Sequence, residues 1–168
     1  MTYQILEVDL DDPRAAMLRG VLDDDLGRRY GPLNQDEPAD VTAARIEALR
    51  VTPAQVVATW IAVLDETAVG HVMLRRLGTE WELKRLIVTP GARGRGIGRA
   101  LSERVIKRAR EEGANRVILQ TGKPQPESIA LYEDLGFTSI PVYEPYRATM
   151  PNSLCFALPL VQDPLTAS

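Results

Sequence analysis

The sequence predicts an α/β or α+β fold with a sheet that contains both antiparallel and parallel pairs. Three observations carry that expectation. Residues 83–113 read as a strand, then a glycine-rich turn, then an amphipathic helix. Residues 55–88 hold three strand candidates in a meander. A short apolar strand, Arg116–Thr121, follows the helix, so strand, helix and strand form a parallel crossover.

In chain order, Tyr3–Val8 alternates as a first strand, and Asp11-Asp12-Pro13 opens a helix whose apolar stripe runs to about Tyr30. Gly31-Pro32 breaks it, and a short helix is expected from Thr42 to Leu49. The meander comprises Gln55–Leu64, Val69–Leu77 and Glu80–Val88, with turns at Asp65-Glu66-Thr67 and Leu77-Gly78-Thr79. Pro126 starts a further helix that Gly136 closes. Phe137–Val142 and Ser153–Leu160 are expected as a last antiparallel pair, joined by the Pro- and Tyr-rich stretch 141–151. With 168 residues the chain reads as one domain, 1–168.

Composition narrows the function classes. A net charge of −3, with arginines gathered at one place, argues against a nucleic-acid partner. No apolar run approaches the roughly 20 residues of a membrane span. The N-terminus has neither a basic region nor an apolar core of a signal peptide, and the one cysteine, Cys155, fits a reducing cytoplasm. The expectation is a cytoplasmic protein, with a homodimer left open.

The Gly/Arg turn is the chemically informative stretch. Three glycines and three arginines fall within residues 93–99: Arg93, Gly94, Arg95, Gly96, Gly98 and Arg99, around Ile97. A helix start leaves backbone N–H groups unpaired and carries partial positive charge, and glycines let a ligand reach those donors. Guanidinium groups add forks matched to phosphate oxygens. The stretch reads as a pyrophosphate cradle. A Walker loop would need Lys-Ser/Thr after Gly98, where Arg99-Ala100 stands, and the third glycine of a dinucleotide fingerprint is missing.

The pattern Arg-x-x-Gly-x-Gly, at Arg93, Gly96 and Gly98, resembles the acyl-CoA signature of the GCN5-related N-acetyltransferase (GNAT) superfamily. Leu131-Tyr132-Glu133-Asp134-Leu135-Gly136-Phe137 resembles that family's LYExLGF segment, at the family's spacing. The resemblance implies a GNAT-type fold, a mixed, mainly antiparallel sheet of about seven strands with helices on both faces, and acetyl transfer without a metal from acetyl-CoA, as co-substrate, to a primary amine of a small molecule or peptide by direct attack in a ternary complex. It implies cofactor contacts from the strand residues Leu86, Ile87 and Val88, from 93–99, and from Gln125, which stands where the family commonly carries asparagine. Tyr132 is implied as a cofactor contact and as general acid, since a phenol stays protonated at neutral pH and can donate to a thiolate. Glu82 matches a position where one branch carries a catalytic glutamate, and is the candidate base; His71 and bulk water are the alternatives. Trp81, Tyr143, Tyr146 and Arg147 are candidates to line the acceptor pocket, with Glu144 for an ammonium and Arg147 or Arg75 for a carboxylate. A non-catalytic acyl-CoA-binding or regulatory module is the alternative function.

Overall fold

The computed structural model describes residues 2–160. Its seven strands are β1 (Tyr3–Val8), β2 (Val56–Leu64), β3 (Thr67–Leu77), β4 (Glu80–Val88), β5 (Arg116–Thr121), β6 (Thr138–Ile140) and β7 (Leu154–Pro159). The helices are α1 (Pro13–Tyr30), α2 (Ala39–Leu49), α3 (Ile97–Glu111), α4 (Pro126–Asp134) and a single turn, α5 (Tyr146–Thr149). One sheet holds all seven strands in the order β1-β2-β3-β4-β5-β7-β6, and only the β4–β5 pair is parallel.

The expected elements form, with differences at their edges. Helix α2 begins at Ala39, three residues before Thr42, because Pro38 and Asp40 suit a first turn. Strand β6 is shorter than Phe137–Val142: Phe137 is buried in the core, and Pro141 ends the strand. The 141–151 connection is not all loop, since Tyr146 anchors the turn α5. Asp65 and Glu66, at φ 48° and 64°, make a two-residue hairpin between the paired Leu64 and Thr67.

Strand alternation divides the interior in two. Val72, Leu74 and Leu83 pack with Ile97, Leu101 and Val105 of α3 and with Tyr132 of α4. Ile61, Ala68 and Ile87 pack on the other face against Ala15, Leu18 and Leu22 of α1. No helix among the described residues is long and apolar enough to cross a membrane.

Two irregularities in β4 shape the centre of the sheet. Opposite β3, the register slips between the pairs Met73–Lys84 and His71–Ile87, so β4 carries an extra residue there. Arg85 takes φ 59° at the bulge. The bulge reverses the alternation: Glu82 and Lys84 share the face of Arg75, whereas Leu86 and Val88 pack on the α3 side with Leu83. Second, β4 pairs with β5 only at Trp81–Val117 and Glu82–Ile118. Beyond Glu82 the two strands part, leaving a wedge between 83–88 and 119–121.

Candidate active site

The wedge is where the candidate cofactor residues meet. Among the described residues the β4 edge facing β5 has no strand partner from Leu83 to Val88, so the backbone groups that point to that edge, apart from the Val88 carbonyl held by Arg93, are free to pair with an amide-bearing chain as a further strand would. The wedge opens onto the start of α3. Gly94 and Gly96 take φ 78° and 79°, left-handed conformations that favour glycine, and turn the chain into the helix. Ala100 N–H is the first to bond back, to Gly96 O at 3.0 Å, leaving the N–H groups of Ile97, Gly98 and Arg99 without a helical acceptor. Ile97 is buried, so it can serve a ligand only through its backbone.

The arginines differ. Arg93 donates from Nε to Val88 O at 3.0 Å, tying the turn to the end of β4. Arg95 is exposed and has no hydrogen bond or ion pair among the described residues. Arg99 points away, bonded to Glu103 at 3.1 Å and to Asp134 at 2.6 Å, and so links α3 to α4.

Tyr132 lies on α4, 5% exposed, with its ring 5.8 Å from that of Phe137. No group among the described residues hydrogen-bonds its hydroxyl, and burial alone raises its pKa well above the ordinary phenol value. The proton therefore stays on oxygen at any physiological pH. Gln125, at the start of α4, accepts at Oε1 from Tyr30 Oη (2.9 Å) and from Thr121 Oγ1 (3.3 Å).

On the α1 face, Glu82 and Arg75 stand directly opposite on adjacent strands and form a sealed ion pair, Nε to Oε1 at 2.6 Å, at 0% and 1% exposure. Tyr143 and Tyr146 donate to Glu82 Oε2 at 2.5 Å and 3.0 Å. Arg75 also donates to Arg50 O, Gln55 Oε1 and Tyr146 Oη. Lys84 Nζ donates to Tyr146 Oη at 2.9 Å, and burial, opposed by the Glu82 charge, lowers its pKa to about 8. Tyr143 is half-buried and is the member of this network that leads outward.

Three residues expected on the acceptor side are engaged with other partners. Arg75 is committed to Glu82 and cannot take a substrate carboxylate. Trp81, adjacent to Glu82 on a strand, faces the opposite way; it packs at the β3–β4 hairpin end under Arg76, whose guanidinium lies 4.1 Å from the ring centroid. Arg147 is exposed, bonded to Val142 O at 3.2 Å and 3.8 Å from Glu144.

Both ring nitrogens of His71, the alternative candidate base, are engaged. Its Nδ1 lies 2.7 Å from Arg85 O, an acceptor only, and its Nε2 lies 3.2 Å from Arg19 Nη1, a donor only. These partners dictate a neutral ring with the proton on Nδ1. Burial, with the Arg19 and Arg85 charges adding to it, pushes the pKa down to about 4 against the opposing Arg85 carbonyl bond. His71 instead holds the carbonyl of the β4 bulge. Sequence reasoning missed Tyr30 and the bond from Lys84 to Tyr146; the partners involved lie 95 and 62 residues away in the chain.

Comparison with known proteins decides the family. The family model described as Acetyltransferase (GNAT) family matches residues 20–137. The chain belongs to the GNAT acetyltransferases. An IAA acetyltransferase from Azospirillum brasilense is 40% identical over 91 residues, 54% of this chain and 59% of that protein. This GNAT chain spans less than two thirds of the length of the curated relatives it matches first. Among solved structures, an acyl-CoA N-acyltransferase assignment from Klebsiella pneumoniae superposes with TM-score 0.73 at 23% identity, covering 95% of this chain and 99% of that one. The PaiA N-acetyltransferase of Thermoplasma acidophilum, solved in complex with coenzyme A, superposes with TM-score 0.67 at 16% identity, covering 95% and 100%. At these identities the superpositions establish the shared GNAT fold.

Proposed function

We propose that this GNAT chain is a cytoplasmic N-acetyltransferase, one catalytic unit over residues 1–168, that transfers an acetyl group from acetyl-CoA to a primary amine by direct attack in a ternary complex. The observation that carries the reading is the wedge between β4 and β5, with the start of α3 at its mouth and, on α4, a Tyr132 hydroxyl that has no partner among the described residues. In this reading the free N–H groups of 97–99, with Arg93 and Arg95 beside them, hold the pyrophosphate. The open edge of β4 along Leu86 and Val88, on either side of Ile87 whose own backbone groups face β3, pairs with the amides of the pantetheine arm and supplies donors to the thioester carbonyl. Tyr132 gives its proton to the sulfur as the C–S bond breaks, and the phenolate left behind, whose charge the buried site disfavours, is reprotonated from solvent.

The acceptor enters from the α1 face. Glu82 is sealed, so an incoming ammonium reaches it through Tyr143: the phenol oxygen accepts the substrate proton as its own proton passes to Glu82 Oε2, 2.5 Å away.

Steady-state release of coenzyme A thiol is measured across a panel of amino acids, polyamines, aminoglycosides and peptide N-termini. Tyr132→Phe is expected to lower kcat by about 10²–10⁴-fold with coenzyme A affinity kept. Wild-type turnover in that variant would reduce Tyr132 to packing. Coenzyme A binding without thiol release from any amine would favour the non-catalytic module.

A further inference from the structure

The C-terminal end of α1 is clasped to the β5–α4 connection by four contacts that the proposed reaction does not use. Arg29 Nη1 donates to Pro124 O at 2.9 Å, and Arg29 pairs with Glu127. Tyr30 Oη donates to Gln125 Oε1 at 2.9 Å. The Tyr30 ring lies over Gly122, where a Cβ would come within 2.3 Å of the Tyr30 oxygen and 3.2 Å of Cζ. Glycine at 122 is therefore a requirement of Tyr30, since any side chain there would push the ring away.

The hydrogen bonds at Gln125 have a direct consequence. A carboxamide has one acceptor oxygen and one donor nitrogen. Two hydroxyls, from Tyr30 and Thr121, both donate to Oε1, which fills its two lone pairs and fixes which way the amide is turned. Nε2 has no partner among the described residues, on a half-buried side chain at the end of β5 where that strand has parted from β4. A donor held in that way at the wedge suits a carbonyl of an amide-bearing chain lying in it.

We infer that Tyr30 is a positioning residue, which with Thr121 turns the Gln125 amide so that its N–H₂ faces a carbonyl of the pantetheine arm. The inference rests on the acetyl-CoA reading above. It also accounts for a glutamine in this place: the longer side chain reaches back to a hydroxyl on α1, and the helix that walls the acceptor side becomes tied to the group that holds the cofactor arm.

Calorimetric titration separates the role from a structural one. The ligands are coenzyme A and its nucleotide part alone, 3′-phosphorylated ADP, which carries the pyrophosphate but no pantetheine. Tyr30→Phe keeps the ring over Gly122 and deletes the hydroxyl. It is expected to weaken coenzyme A by about three- to tenfold, the range of one oriented hydrogen bond, and to leave the nucleotide unchanged. Thr121→Val, which preserves shape, probes the same amide from its other hydroxyl and is expected to act in the same direction. In the background of Gln125→Ala, Tyr30→Phe should add almost nothing, because both remove one interaction. Unchanged coenzyme A affinity in Tyr30→Phe, equal weakening of both ligands, or additive losses with Gln125→Ala would each overturn the assignment. Wild-type protein that binds the nucleotide part as tightly as coenzyme A would remove the pantetheine contact itself. Wild-type protein that binds neither would instead overturn the acetyl-CoA reading on which it rests.

Discussion

Replacing Glu82 by glutamine tests the centre of the site, and its stability cost can be worked from the packing. Glu82 is 0% exposed and Arg75 1% exposed, joined at 2.6 Å. Glutamine preserves the volume and keeps an oxygen for the two tyrosines, but it leaves the Arg75 guanidinium buried without its counter-charge. Removing one partner of a buried ion pair costs about 3–5 kcal/mol, because the remaining charge stays desolvated. Arg75 keeps three other acceptors, Arg50 O, Gln55 Oε1 and Tyr146 Oη, so the lower end, about 3 kcal/mol, is expected. In a chain of this length that corresponds to a fall in Tm of about 6–12 °C. Urea denaturation at pH 7, read by circular dichroism, measures it directly. Tyr143→Phe is the control: it removes the 2.5 Å hydrogen bond to Glu82 and leaves the ion pair intact. If proton transfer through Tyr143 is the route, Tyr143→Phe loses turnover at neutral pH and regains part of it at alkaline pH, while its stability falls by only about 1–2 kcal/mol. A Glu82→Gln variant less than 1 kcal/mol below wild type would refute the sealed-pair analysis. A pH–rate profile of Tyr143→Phe that overlays wild type would refute the relay.

Two further predictions follow from local geometry. His71 is neutral in the fold, with its pKa pushed down to about 4, whereas an unfolded histidine titrates near 6.5. Between those values the unfolded state binds more protons, so stability falls as pH drops from about 6.5 to 4, by about 3 kcal/mol through this ring alone; the difference in urea stability between wild type and His71→Gln, followed over that range, should shrink by this amount, and a flat difference would place the proton elsewhere. Gly96→Val introduces a β-branched residue at φ 79°, with only Tyr3 Oη, at 3.9 Å, near the new Cβ; a backbone cost of about 1–2 kcal/mol is expected with the fold kept, together with loss of coenzyme A binding by calorimetry, and unchanged affinity in the folded variant would remove the cradle assignment.

Much of this protein was legible in its sequence because the signals are local. A strand, a glycine turn and a helix within 83–113 depend on neighbours a few residues apart, and β4 and α3 form at the expected residues. The positive φ at Gly94 and Gly96 follows from the same local chemistry. Even the separation of Trp81 from Glu82 is implicit in strand alternation, which sends adjacent side chains to opposite faces.

What only the tertiary structure decided is which groups are free to react. The extra residue at Arg85 reverses the alternation within β4, and no pattern in that stretch announces it. His71 and Glu82 look alike from sequence, as ionisable groups on neighbouring strands. One has both nitrogens taken by Arg19 and the Arg85 carbonyl; the other is sealed by Arg75 and by tyrosines 61 and 64 residues further along. Gln125 gains its direction from a hydroxyl 95 residues earlier. Protonation and orientation are set by burial and by hydrogen-bond partners, and those partners are brought together by the packing of α1 and the β6–β7 connection against the sheet, which no stretch of sequence encodes alone.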